Sequence, residues 1–130
     1  RALRPLDFAE AMLEREIESF EDSVGHSAPV IFDRGFPDIA GFLELSGLPV
    51  PPAVDRACRD LRYEGPIFHA PPWQDIYEPD PERIQTWQEA LESDAAIVAA
   101  WKRYGYDLVK LPFLSLEERL AFVMRQLGRA

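Results

Sequence analysis

At 130 residues the chain has room for one domain that buries about two-thirds of its unfolded surface. Its apolar fraction of 47%, with 3 Trp and 8 Phe, argues for an ordinary packed core rather than disorder. The 14 basic and 23 acidic residues give a net charge of −9, which disfavours nucleic acid and anionic membranes as partners but not a small phosphorylated ligand met by a few local cations. The single cysteine, Cys58, rules out an intramolecular disulfide and zinc-ribbon spacings. No apolar run approaches the roughly 20 residues of a membrane helix, and no signal-peptide pattern is present. A cytoplasmic protein is expected. The chain opens "RALRPLDFAEAM", without an initiator Met and directly before a patterned helix, so it reads as entered part-way along.

In chain order, the spacing of Phe8, Met12, Ile17, Phe20 and Val24 predicts an amphipathic helix over 7–23, ended by Gly25. "PVIF" (29–32) is a wholly apolar run and reads as a buried strand. A helix over 36–46 follows, with Pro37 in its first turn and Gly47 at its exit. "LPVPP" (48–52) is a rigid connector into a short helix over 53–62. "PIFHAPP" (66–72) reads as a second strand stopped by paired prolines.

A polar hinge, "QDIYEPDPE", then leads into a long helix expected over 81–104, with a buried stripe of Ile84, Trp87, Leu91, Val98 and Trp101. "DLVKLP" (107–112) is a third strand, and 115–127 a closing helix with Ser115 and Glu118 as a capping box. Strands separated by helices predict a parallel sheet covered by helices on both faces.

Several side chains can carry chemistry. Asp33 and Arg34 stand at the carboxyl end of the first apolar strand, the edge of an open α/β sheet where ligands bind. A carboxylate there can accept a proton from an attacking hydroxyl, and an adjacent arginine can fork onto phosphate oxygens. The bland alternative is a helix-capping Asp beside a surface Arg. Arg83 lies in the first turn of the expected long helix, where a cation opposes the helix dipole. Composition alone favours an ordinary surface Arg; a lid cation neutralising a moving phosphoryl group is the sharper reading. His69 reads as a hydrogen-bonded core histidine, Cys58 as packing beside Val54 and Leu61, and no His, Cys, Asp and Glu set has metal-ligand spacing.

"VIFDRGFPDIAGFLELSGLPVP", "IFHAPPWQDIY", "DPERIQTWQEA", "YGYDLVKLP" and "ERLAFVMRQL" together resemble small bacterial P-loop ATPase domains related to nucleoside and nucleotide kinases, over about residues 1–127. The resemblance implies a three-layer α/β fold of nucleotide-kinase type, with a parallel sheet between helices. It implies a single domain over 1–130 with a mobile lid at about 73–90, and ATP with Mg²⁺ as ligands. It nominates Asp33 for the acceptor hydroxyl or Mg²⁺ through a bound water, Arg34 for phosphate, and Arg83 as the lid cation. Where relatives carry basic lid residues, this chain has Glu78 and Ile84.

Such proteins hold the triphosphate with G-x-x-x-x-G-K-[ST]. Here the glycines are 25, 35, 41, 47, 65, 105 and 128, no pair five apart, and the lysines are Lys102 and Lys110. The resemblance places that loop upstream of Arg1, so the domain is expected to be incomplete at its N-terminus. Arg56, Arg59 and Arg62 become candidates for a pocket that takes a small phosphorylated acceptor. Two functions follow: an ATP-dependent small-molecule kinase or NTPase, or a non-catalytic protein-binding module that kept the architecture and lost the nucleotide site.

Overall fold

A computed structural model describes residues 4–25, 32, 34–72, 86–112 and 115–128. Within them the order is α1 (Pro5–Ser23), α2 (Phe36–Leu45), α3 (Pro52–Asp60), β1 (Ile67–His69), α4 (Trp87–Arg103), β2 (Leu108–Lys110) and α5 (Leu116–Gln126). The class is mixed α/β. The sheet among the described residues is two-stranded and parallel, with Ile67, Phe68 and His69 opposite Leu108, Val109 and Lys110. The expected strand at 29–32 falls outside the described residues except for Phe32, which is in no strand. β1 is shorter than its apolar run because Pro71 and Pro72 follow it and offer no ladder donors.

α2 is the centre of the core. Phe36, Pro37, Asp38, Ile39, Ala40, Gly41 and Leu43 are all buried, so the helix is enclosed on nearly every side. α4 crosses it closely, and Gly41 is the reason. A Cβ at that position would stand 3.0 Å from Ile97 Cα and 3.1 Å from the Ala96 carbonyl oxygen, so any other residue would require the α4 backbone to give way by a few tenths of an ångström. Ala100 and Trp101 are buried on the same face of α4, with Ile97 packed beside them. The expected stripe is corrected accordingly. Trp101 belongs to it and Trp87 and Val98 are half-buried, but Leu91 is 38% exposed, Ile84 lies outside the described residues, and Ile97 and Ala100 complete the inner face instead.

The start of α4 is also corrected, from residue 81 to Trp87. Thr86 has extended backbone and caps the helix: its hydroxyl accepts from the Glu89 amide while the Glu89 carboxylate accepts from the Thr86 amide. α4 is therefore about 25 Å long rather than about 36 Å. Its C-terminus is a Schellman motif, with Gly105 at φ +87 and amides of Gly105 and Tyr106 donating to the carbonyls of Lys102 and Trp101. That motif folds Tyr106 back onto Trp101, ring centroids 4.9 Å apart. Gly47 at φ +77 ends α2 the same way.

α1 packs through Ala9 and Leu13, flanked by Met12, Ile17 and Phe20. Phe8 and Val24 leave the expected stripe. Phe8 sits at the rim, edge-on to Phe42 at 5.3 Å, and Val24 lies past the helix end with extended backbone. The half-buried His69 shares a 2.7 Å hydrogen bond between its Nε2 and Asp94 Oδ1, tying β1 to α4 as a satisfied histidine. Cys58 is buried beside Val54 and Ala57, and burial pushes its thiol up to about 12, so it is packing and not a nucleophile. Ser115 and Glu118 form the expected capping box of α5, which buries no residue. Among the described residues no helix is long and apolar enough to cross a membrane.

Because the α2–α4 separation rests on a missing Cβ, Gly41→Val is expected to destabilise the fold by about 1–3 kcal/mol through overpacking. The check is the urea midpoint, which should fall at unchanged slope. An unaltered midpoint would mean that the two helices separate without cost.

Candidate functional site

The candidate site is built around the turn that enters α2. Arg34 is exposed and has φ +75, the left-handed region that a side chain other than Asn or Asp rarely occupies. It is the only non-glycine with positive φ among the described residues. Such outliers persist where the surrounding structure over-determines them, often at ligand sites.

Gly35 follows, with extended backbone (φ −160) that any residue could adopt. Glycine is needed for space instead. A Cβ would stand 2.7–2.8 Å from the ring and hydroxyl of Tyr63. The Tyr63 hydroxyl accepts a 3.0 Å hydrogen bond from the Phe36 amide and donates at 2.6 Å to Glu16 Oε2 on α1. The Gly35 amide donates to the buried Asp38 carboxylate at 2.7 Å, and the Asp38 amide donates back to the Gly35 carbonyl. With Phe36 bonded to Tyr63 and Pro37 lacking an N–H, these first amides of α2 are engaged within the chain. An anion at this turn would be met by the Arg34 side chain.

Tyr63 itself is held from several directions. Its amide donates to the Tyr106 hydroxyl at 3.0 Å, and its ring contacts those of Phe20, Phe32, Phe36, Trp101 and Tyr106 at 5.1–6.2 Å. Burial, then the bond to Glu16, pushes its phenol well above the ordinary range, so it stays a neutral donor. Glu16 is pushed up chiefly by burial, its hydrogen bond from Tyr63 pulls the other way, and the Asp38 charge adds to the rise. Neither Tyr63 nor Glu16 was expected from the sequence as part of the site. The legible signal was Glu16 itself, an acid at helical spacing from Met12, Leu13 and Phe20 on the apolar face of α1.

Asp33 and Arg83 lie outside the described residues, as does most of the lid at 73–90; residues 87–90 are the first turn of α4. Arg56 is exposed on α3. Arg59 pairs with Asp55 at 2.9 Å, at the surface, and lies 5.5 Å from the Tyr104 ring centre. Arg62 donates from Nη1 to the carbonyls of Tyr104 (2.7 Å) and Cys58 (3.1 Å), with its guanidinium 4.0 Å over the Tyr106 ring. Arg56 and Arg59 are thus on α3 and Arg62 just past its end, Arg59 and Arg62 are engaged within the chain, and no described contact links the three to Arg34. Among the described residues no group of three or more His, Cys, Asp or Glu could hold a metal ion.

A family model described as an AAA domain matches residues 1–119 of the chain. No curated protein and no solved structure matches it.

The Glu16 environment has a measurable consequence. Because its folded-state value lies above the unfolded one, the folded protein binds this proton more tightly. The associated stability is present at acid pH and is lost as pH rises through the raised value. Glu16→Gln keeps an acceptor for Tyr63 and removes the charge. The variant should therefore gain thermal stability relative to wild type between about pH 4 and about pH 7. A difference that does not change with pH would mean that Glu16 is not desolvated.

Proposed function

The chain belongs to the AAA-domain family of P-loop NTPase-like proteins, and on that premise we propose that it binds ATP with Mg²⁺ and transfers the terminal phosphoryl group to a small acceptor or to water. The observation that carries this reading is the Arg34 turn. An exposed guanidinium is held in left-handed backbone at the entry to the central helix, by a glycine seated under Tyr63 and a backbone amide bonded to its hydroxyl. A guanidinium carried on ordered backbone suits bidentate contact with phosphate oxygens, because only the side chain has still to be ordered when the ligand arrives.

In this reading Arg34 holds phosphate, and Asp33 is the carboxylate toward Mg²⁺ and the acceptor hydroxyl. Arg83 closes from the lid over the transferring group. One carboxylate suffices for Mg²⁺, which is usually bound through one or two carboxylates together with substrate phosphates. The bound ion would supply charge neutralisation at the phosphate oxygens. The engaged amides of α2 support assigning the protein's phosphate contact at this turn to a side chain. Arg56, exposed on α3, is in this reading the leading candidate to meet a small phosphorylated acceptor, with Arg59 and Arg62, already engaged within the chain, beside it in sequence.

The test is calorimetric titration of the full-length natural protein with ATP and Mg²⁺, followed by turnover. Arg34→Ala should weaken ATP binding about tenfold or more, the scale of one hydrogen-bonded charge contact. Asp33→Ala should lower turnover by about a hundredfold or more with the fold intact by circular dichroism. Unchanged turnover would remove Asp33 from the mechanism. No heat of binding in the wild type would favour the non-catalytic protein-binding module.

A further inference from the structure

Tyr63 joins three parts of the molecule through its hydrogen bonds. These are α1 through Glu16, the α2 entry through Phe36, and the segment after α4 through Tyr106. We propose that Tyr63 is the positioning residue of the phosphate-binding turn: its hydroxyl, oriented by Glu16, holds the Phe36 amide and so fixes the direction in which Arg34 leaves the fold. The proposal deepens the function above and rests on it, since it concerns how the Arg34 site is set.

The hydrogen-bond arithmetic supports one arrangement. A phenol has a single proton, and Tyr63 gives it to the Glu16 carboxylate at 2.6 Å. Its lone pairs are then turned toward the Phe36 N–H, 3.0 Å away. Phe36 is the first residue of α2, so its amide has no acceptor inside the helix and is buried. Removing the hydroxyl leaves that donor unpaired in the core. The ring constrains the same turn from a second direction, because it lies where a Cβ of Gly35 would be. Ring and hydroxyl together leave the residue before Gly35 little freedom, and that residue is Arg34 at φ +75.

A merely structural tyrosine would lower stability and nothing else. A positioning tyrosine would act on ligand binding through Arg34, and the two can be separated in the full-length protein. Amide hydrogen exchange and ATP·Mg²⁺ titration are measured on wild type, Tyr63→Phe, Arg34→Ala and the double variant. Ser115→Ala, which loses a cap on α5 far along the chain, serves as the control for stability loss alone.

For Tyr63→Phe, exchange at Phe36 should quicken about tenfold or more while amides in the middle of α2 keep their protection. ATP affinity should fall about tenfold, and the double variant should bind no more weakly than Arg34→Ala alone, since both act through one contact. The Ser115→Ala control should bind as wild type. Glu16→Gln, which preserves the acceptor, should keep Phe36 protected. Unchanged exchange at Phe36 would overturn the proposal, as would a loss of affinity that simply adds to that of Arg34→Ala. A wild-type protein that binds no ATP would overturn the function instead, together with any ligand role for Tyr63. The exchange result would then report only whether the hydroxyl holds the turn.

Discussion

The insertion of one aromatic side chain under a glycine organises the described part of this fold. Tyr63 comes from the irregular segment between α3 and β1, yet its ring reaches the entry of α2 because Gly35 has no Cβ to exclude it. From that position it touches Phe20 on α1, Phe36 on α2, Trp101 on α4 and Tyr106 beyond it. Aromatic pairs at these separations add to the burial of their area. The polar end of the same residue settles a buried backbone donor and a half-buried carboxylate. A phenylalanine could fill the space, but only a tyrosine can also meet the hydrogen-bonding demand that the α2 entry creates.

The second close approach, at Gly41, sets where α4 lies. With α4 drawn onto α2, its C-terminal Schellman turn brings Tyr106 back against Trp101 and under the guanidinium of Arg62. Arg62 in turn satisfies carbonyls at the ends of both α3 and α4. Two glycines, one beneath a ring and one against a helix backbone, thus connect the position of the Arg34 turn to the packing of the α3–α4 side. Their requirement is spatial in both cases, since neither has positive φ.

Electrostatics at the turn is a matter of burial rather than of net charge. The chain carries −9 overall, and two described acids, Glu16 and Asp38, belong to this neighbourhood by contact. Asp38 is occupied by the Gly35 amide, and Glu16 is raised by burial and by Asp38 while bonded to Tyr63. Arg34 is exposed, one residue before the Gly35 amide that Asp38 accepts from. A cation on ordered backbone near acids that are internally engaged can still serve an outside anion, which a count of acidic residues would not suggest.

Local patterning was readable wherever one rule acts over a few neighbouring residues. The capping box of Ser115 and Glu118, the glycine exits after α2 and α4, the proline stop after β1 and the packing role of Cys58 are all of this kind, and the sequence by itself determined them. It also marked the Arg34–Gly35 pair as unusual and carried the family likeness that the AAA-domain match supports. What it did not reveal depends on partners distant along the chain. The expected stripe of α4 ran through Leu91, but the helix lies against α2 at Ala96 and Ile97, a placement set by Gly41 more than fifty residues away. The helix start moved to Trp87 because the capping box at Thr86 outweighs the prolines and acids upstream. Tyr63 had no periodicity to announce it. Its role required Gly35, Glu16 and Phe36 to meet in space, and only tertiary structure decides such a meeting, because a hydrogen bond or a ring contact acts over a few ångströms of distance and not over a count of residues.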